Sequence, residues 1–199
     1  MHFTLIDTNS KLITAWRAFF EDVENVRIAE GDLTAMECDA IVSPANSFGF
    51  MDGGVDYAIS ERLGWQLEKE LQQQIKALPE GELLVGRALI LPTGDAKIPF
   101  LISAPTMRIP TNLNIDTSVN AYLAMKALLI AAKAHDNIQS IAIPGMCTGV
   151  GGMQPIICAR QMHLAYKEII LNQRPAINSF GDAQKHHRDI NPQGMIWTN

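Results

Sequence analysis

The chain has 199 residues, of which 47% are hydrophobic and 19% charged, and its formal net charge is −5. This composition is typical of a folded domain and excludes a disordered or low-complexity chain. Because the 16 Lys and Arg residues are scattered along an acidic chain, binding to duplex nucleic acid is not expected. Small anionic ligands remain compatible with this charge, since backbone N–H groups and helix N-termini can bind a phosphate.

We expect neither an export or membrane-spanning segment nor a disulfide framework in this chain. No basic start leads into a long apolar region, and no later stretch is long enough to cross a bilayer. Cys38, Cys147 and Cys158 lack the paired spacing of a disulfide framework or a zinc site. We therefore expect a cytoplasmic protein without membrane association, metal or cofactor, and its oligomeric state stays open.

In chain order, apolar runs of strand length alternate with segments of helical periodicity. Strands are predicted over residues 2–7, 25–29, 39–43, 87–91, 98–103 and 140–143. Helices are predicted over residues 10–20 behind an Asn9-Ser10 cap, 55–77 with an interruption near Gly64, 116–134 with Asp116 as the cap, and 155–171. Continuously apolar strands need a helix layer on each face, which predicts a three-layer α/β/α fold with a central mixed, largely parallel sheet.

The C-terminal segment differs in composition from the rest of the chain. We predict one domain over residues 1–171 and a polar tail over residues 172–199, which is either loosely packed or docked on the domain. Ile196 and Trp197 are the residues of the tail best suited to docking, and His186-His187 are predicted to be solvated.

A glycine-dense loop, residues 145–152, lies between the last predicted strand and the helix that opens at Pro155. Glycines let the backbone approach a ligand closely, and the helix N-terminus adds unpaired donors, so the loop suits a diphosphate. Its spacing matches neither the dinucleotide fingerprint nor the lysine-containing loop of the NTPases. A connecting loop without a ligand is equally consistent with the glycines alone.

Polar residues follow two further strands, and each has a structural alternative. Asn46 suits sugar hydroxyls but also forms turns. Asp56 can orient a water or a ribose hydroxyl, or can simply stabilise the first turn of a helix. Asp32 can accept a hydrogen bond from an adenine amino group or cap a helix.

Taken together and in this order, Gly31-Asp32-Leu33-Thr34, Ile41-Val42-Ser43-Pro44-Ala45-Asn46, Gly53-Gly54-Val55-Asp56 and the stretch 143–152 resemble a macro domain. The resemblance covers roughly the first 170 residues and is to the ADP-ribose-binding, Appr-1-p processing type. It implies a six- or seven-stranded mixed sheet and a cleft for ADP-ribose or for an ADP-ribosylated macromolecule.

The resemblance also implies roles for individual residues. Asp32 would contact the adenine amine, and Asn46 and Asp56 would lie at the distal ribose. In hydrolase branches of the family, residues at the last two positions activate a water that attacks the anomeric carbon without a metal. The ligand-binding set implied in this way is Asp32, Leu33, Ala45, Asn46, Gly53, Gly54, Val55, Pro144, Gly145, Thr148, Gly149, Val150 and Gly151.

The sequence departs from the commonest macro-domain pattern at three places. Phe50-Met51-Asp52 stand where further glycines are usual, Ser60 where histidine is frequent, and Met146-Cys147 where small residues are usual. The bulky residues are expected to narrow the distal-ribose end of the cleft, with Phe48 or Phe50 as an apolar wall or as core. We favour binding of ADP-ribose over its hydrolysis and lean to a metal-independent ADP-ribosyl hydrolase if the chain is an enzyme. A non-catalytic ADP-ribose reader and a structural or assembly protein with a vestigial cleft remain open.

Four further residues lie near these loops, and two of them, Cys147 and Arg108, have two interpretations each. Cys147 is either a reactive thiol beside a helix N-terminus or, as we favour, an inert buried side chain. Thr106 and Met107 follow a predicted strand and can line the cleft. Arg108 either meets a phosphate or faces solvent.

Overall fold

The computed structural model describes residues 1–111 and 115–193 and confirms the predicted alternation of strands and helices. A single turn of 3-10 helix, Leu33–Ala35, lies between the second and third strands. The remaining elements are β1 (His2–Asp7), α1 (Ser10–Phe20), β2 (Val26–Glu30), β3 (Ala40–Ser43), α2 (Gly54–Leu63), α3 (Gln66–Lys76), β4 (Leu89–Pro92), β5 (Phe100–Ser103), α4 (Asn120–Lys133), β6 (Ser140–Ile143), α5 (Pro155–Ile169) and α6 (Phe180–Ile190).

The described strands form one sheet in the order β2-β1-β6-β3-β5-β4. All neighbouring pairs are parallel except β4 and β5, which pair antiparallel. The sheet is therefore mixed and largely parallel, as predicted. Because β1, β2, β3, β5 and β6 run in the same direction, the loops that follow these strands all emerge at one edge of the sheet.

Each face of the sheet has its own apolar core. On one face Leu5 and Val42 pack with α1, α4 and α5, around the fully buried Trp16. On the other face Ile6 and Ile41 pack with α2 and α3. The alternation of neighbouring strand residues between the two cores produces the three-layer α/β/α architecture.

Two local predictions about helix boundaries are confirmed. Asn9 caps α1, because its side chain accepts a hydrogen bond of 3.0 Å from the backbone N–H of Lys11. The predicted long helix is interrupted at Gly64, whose φ of 99° lies in the region that favours glycine and separates α2 from α3.

The predicted cap at Asp116 is wrong. The helix begins four residues later, at Asn120, and the carboxylate of Asp116 accepts hydrogen bonds of 2.7 Å from the backbone N and from the side-chain Nε2 of Gln154. Asp116 is 4% exposed and so acts in a long-range contact, which local spacing could not reveal.

The C-terminal segment is more ordered than the sequence predicted. Ser179 caps α6, which continues to Ile190, a residue that packs into the core on the α1 face. His186, predicted to be solvated, lies 2.8 Å from the carboxylate of Glu168. Ile196 and Trp197 lie outside the described residues, and the domain boundary at residue 171 stays a prediction. Within the described ranges, no helix is long and apolar enough to cross a membrane.

The attachment of α6 can be tested at Asn191, which is 1% exposed and donates hydrogen bonds to the backbone carbonyls of Asp116 and Ser118. Asn191→Ala leaves buried carbonyl groups without this donor, so the free energy of unfolding should fall by about 2 kcal/mol. Chemical denaturation measures the change. The exposed Gln193→Ala is the matched control and should leave stability unaltered; equal stability of the two variants would show that α6 is not held through Asn191.

Candidate functional site

Two adjoining cavities open at the edge of the sheet where the parallel strands end. We call them the Asp56 cavity, of about 290 Å³, and the Asp32 cavity, of about 350 Å³. They share the lining residues Pro44, Val55, Gly145 and Gly149, so that they form two halves of one cleft. A cleft in this position is where open α/β sheets bind ligands.

All residues to which the sequence assigned a ligand-binding or catalytic role line this cleft. The Asp32 cavity contains Asp32, Leu33, Val55, Pro144, Gly145, Thr148 and Gly149. The Asp56 cavity contains Ala45, Asn46, Gly53, Gly54, Val55, Asp56, Gly145, Gly149, Val150 and Gly151. The fold thus brings together loops that are far apart in the sequence, while the roles of the individual residues stay predictions.

Asp32 serves as a cap and also faces solvent. Its Oδ1 accepts hydrogen bonds of 2.8 Å from both the backbone N and the Oγ1 of Thr34, which caps the 3-10 turn. No donor in the described part of the chain reaches Oδ2. The two alternatives for Asp32 are therefore compatible, because capping occupies one carboxylate oxygen and leaves the other for a ligand.

The glycines of the cleft fall into two groups. A Cβ at Gly145 would clash with Thr148 and Leu12, and one at Gly151 would lie 2.8 Å from the carbonyl oxygen of Cys147, so both glycines are needed for close packing. A Cβ at Gly53 or Gly149 would have no atom within 4 Å, so the backbone there borders open space. The second group is where a ligand can approach the main chain.

Helix donors reach the cleft from α2 rather than from α5, contrary to the sequence-based expectation. Gln154 donates its backbone N–H to Asp116, Pro155 has no N–H, and none of the described residues after Gly151 lines either cavity. Instead Gly54 and Val55 form the first turn of α2, where the helix leaves N–H groups without intrahelical partners. The N–H of Gly145 is also used internally, since it donates to Asp7 at 3.1 Å.

Asn46 shapes the loop that follows β3. Its Oδ1 accepts hydrogen bonds from the backbone N of Phe48 at 3.1 Å and of Phe50 at 3.3 Å, and its Nδ2 donates to the carbonyl of Phe50 at 2.8 Å. Asn46 therefore acts as a turn former. One amide hydrogen of the 6% exposed side chain is left over and can still donate to a sugar hydroxyl.

Asp56 is a buried carboxylate in the wall of the cleft. It is 8% exposed, and its Oδ1 accepts a hydrogen bond of 2.6 Å from Ser43, while no described residue donates to Oδ2. Burial disfavours the charged form and raises the pKa of Asp56 to about 6, an effect that the Ser43 hydrogen bond partly counteracts. A carboxylate with this pKa is mostly ionised at neutral pH and is suited to accept a proton from water.

The bulky residues of the loop do not all narrow the cleft. Phe50 lines the Asp56 cavity and is 55% exposed, as the apolar-wall interpretation requires. Met51 is fully buried in the core on the α2 face, so the expectation that it narrows the cleft is wrong. Ser60, which replaces the frequent histidine, is also buried and donates to the carbonyl of Met51 at 3.2 Å.

Three open alternatives in neighbouring residues are resolved. Cys147 is 3% exposed, and burial raises the pKa of its thiol to about 12, so it is not a reactive thiolate. Thr106 and Met107 line the Asp56 cavity. Arg108 pairs with Glu82 at 2.7 Å and lies over the Phe48 ring, outside both cavities.

Several lining residues were not identified from the sequence, namely Ile6, Asp7, Thr8, Asn9, Gly31, Pro44, Ala58 and Pro110. The position of Asp7 and Asn9 directly after an apolar strand was a usable signal, because loops after parallel strands converge. Within the described ranges, no group of three or more His, Cys, Asp or Glu residues is arranged to hold a metal ion.

The comparisons with known proteins agree with this geometry. A family model described as Macro domain matches residues 42–162. An uncharacterized protein of Aquifex aeolicus is 36% identical over 138 residues, which are 69% of this chain and 78% of that protein. A macro domain-containing protein of Listeria monocytogenes is 35% identical over 136 residues, 67% of this chain and 74% of the relative.

Solved macrodomain structures share the fold. The Oceanobacillus iheyensis macrodomain with MES bound has a TM-score of 0.61 and 24% identity, covering 80% of this chain and 87% of that one. A glycine-to-valine variant of the same macrodomain, solved with ADPR, has a TM-score of 0.58 and 27% identity, covering 71% and 74%. The predicted fold class and family are confirmed, and the Appr-1-p processing type stays a prediction. This chain belongs to the macro domain family.

Proposed function

We propose that this chain binds ADP-ribose, or a derivative of it, across the two halves of the cleft. The observation that carries the proposal is the place where the two cavities meet. Glycine backbone there borders open space, and N–H groups of the first turn of α2 lie at the same place. ADP-ribose has the matching sequence of parts, a nucleoside and a ribose joined by a diphosphate. The related Oceanobacillus iheyensis macrodomain variant solved with ADPR supports the same ligand class.

In the proposed pose the adenosine occupies the Asp32 cavity, and the adenine amine donates to Asp32. The diphosphate lies at the junction, against Gly53-Gly54-Val55 on one side and the 148–151 loop on the other. The N–H groups of the first turn of α2 would supply hydrogen bonds there. The distal ribose then reaches the Asp56 cavity, where the remaining amide hydrogen of Asn46 donates to a hydroxyl.

Binding is tested by calorimetry with ADP-ribose and a variant that blocks the junction. Gly149 borders open space and has no positive φ, so Gly149→Val fills the space between the cavities without backbone strain. We expect at least about tenfold weaker binding, since the ligand would lose close contact with the loop.

The matched control is Gly181→Val in α6, outside the cleft, which should leave ADP-ribose affinity unchanged. Undiminished affinity in Gly149→Val would contradict the proposed pose. No heat with millimolar ADP-ribose in the unaltered protein would instead favour the structural alternative with a vestigial cleft.

Hydrolysis of an ADP-ribosyl bond is a second candidate function, favoured by the buried carboxylate of Asp56. In the proposed step a water gives a proton to Asp56 as its oxygen bonds to the anomeric carbon. The bond from that carbon to the modified group breaks, and the leaving atom takes the electron pair and a proton from solvent. A non-catalytic reader would bind the same ligand without this step.

Release of free ADP-ribose from a mono-ADP-ribosylated protein distinguishes enzyme from reader. Asp56→Asn should abolish release while retaining ADP-ribose binding, because the amide cannot accept the proton. Ser43→Ala removes a hydrogen bond that lowers the pKa of Asp56, so the acidic limb of the pH–rate profile should move to higher pH. Release that persists undiminished in Asp56→Asn would refute this role.

The same carboxylate has a stability effect that does not depend on activity. Its pKa is about 6 in the folded protein, against 3.8 for an aspartate without these surroundings, so its contribution to stability falls as pH rises between these values. Well above pH 6 the buried carboxylate is ionised, and Asp56→Asn should be more stable than the unaltered protein by up to about 3 kcal/mol.

Denaturation curves at several pH values measure this difference, which should shrink toward zero below a pH of about 4. The exposed Asp22→Asn serves as the control for the loss of a surface carboxylate. A constant difference at all pH values would mean that Asp56 is not held as a buried charge.

A further inference from the structure

The proposed ADP-ribose site leaves the group beyond the distal ribose undefined. We propose that this group carries a positive charge, as a guanidinium or an amine does, and that Asp52 and Phe50 select it. A phosphate at the same position would be disfavoured, which counts against the Appr-1-p processing type that the sequence resemblance implies. The inference rests on the proposed function, since it concerns the end of the cleft that the distal ribose would occupy.

The charge of the cleft favours a cation at this end. Carboxylates line both halves, and within residues 1–111 and 115–193 no Lys, Arg or His does; the acids are Asp7, Asp32, Asp52 and Asp56. Arg108 is held outside by Glu82. At the junction, helix N–H groups can offset this negative charge for a diphosphate. At the Asp56 end, a further phosphate would meet two carboxylates without a cation.

Asp52 is a carboxylate with no partner among the described residues. Its side chain is exposed at the mouth of the Asp56 cavity and makes no hydrogen bond or ion pair within that part of the chain. Asp95 and Glu82, elsewhere on the surface, are by contrast each paired with an arginine. The charge of Asp52 is therefore available to a cation on the ligand.

An aromatic ring lines the same cavity as this carboxylate. Phe50 is 55% exposed and lines the same cavity, yet Asn46 holds its backbone from both sides through hydrogen bonds to its N and O. An exposed phenyl ring on a fixed backbone, in the same cavity as a carboxylate, is a combination that suits a cationic nitrogen group. A phosphate gains nothing from the electron-rich face of a phenyl ring.

The proposal is tested by calorimetry with three ligands on the full chain. They are ADP-ribose, ADP-ribose 1″-phosphate, and ADP-ribosyl-agmatine, which carries a guanidine on the distal ribose. We expect the agmatine conjugate to bind most tightly and the phosphate least, with at least about tenfold between them at low salt. Free ADP-ribose is assayed after each titration, so that turnover is not counted as binding heat.

Salt and variants identify the cause of the difference. Raising the salt from about 50 to about 300 mM should reduce the spread of affinities, because the carboxylate at the mouth is solvent-exposed. Asp52→Asn should reduce the spread severalfold, and Phe50→Leu should weaken the agmatine conjugate more than it weakens ADP-ribose. Asp22→Asn removes the same charge at the far end of α1 from the cleft and should leave the order and the spread unchanged.

The possible failures are distinguishable. If none of the ligands binds, the proposed function fails and this inference falls with it. If ADP-ribose binds but the phosphate binds as tightly as the agmatine conjugate, only the inference is overturned. A spread that survives unaltered in both Asp52→Asn and Phe50→Leu also overturns it, since selection would then come from other groups.

Discussion

The hydrogen bond from Ser43 to Asp56 is the contact on which the rest of the cleft depends. Ser43 is the last residue of β3 and Asp56 lies in the first turn of α2, and a distance of 2.6 Å joins them. Both ends of the intervening loop are thereby fixed to the sheet edge. The loop carries Asn46, Phe50 and the glycine pair; the Ser43–Asp56 bond joins its two ends, and the hydrogen bonds of Asn46 to Phe50 fix the turn between them.

The same contact explains why a carboxylate is tolerated in a buried position. An isolated buried charge is costly, and a single hydroxyl donor offsets only part of that cost, so the pKa of Asp56 stays raised. The side chain is 8% exposed and lines the cleft, so it is buried but reachable by a ligand there. In the proposed hydrolysis, function and stability oppose each other at this residue, as is common for groups that accept protons.

How much of the fold and the site could be predicted from the sequence depends on how far apart in the chain the interacting residues are. Strands, the Asn9 cap and the break at Gly64 follow from local patterns and were correctly predicted. The cleft loops were also predictable, because glycines and polar residues directly after apolar strands converge at one sheet edge. For Asn46 the local alternative, a turn former, was itself realised.

The errors concern contacts between distant segments. Local spacing predicts that Asp116 caps a helix, but its partner is Gln154, and this contact takes the α5 N-terminus away from the cleft. The position of Met51 in the loop predicts that its side chain narrows the cleft, but the side chain is buried in the core on the α2 face. Such partners are set by tertiary packing, which periodicity and spacing within one segment do not encode.

The C-terminal helix α6 is a further case of tertiary contacts that local patterns do not predict, and these contacts lead to the site. Its sequence is polar, but Ile190 enters a core and Asn191 donates to the backbone of the Asp116 loop. Asp116 in turn holds Gln154, directly after the glycine loop, and Ile115 packs beside Gly151 in the cleft. A continuous set of contacts thus runs from α6 to the glycine loop. The end of α6, at Ile190 and Asn191, is therefore connected to the wall of the cleft, although it lies beyond the matched family region of 42–162 and does not line either cavity.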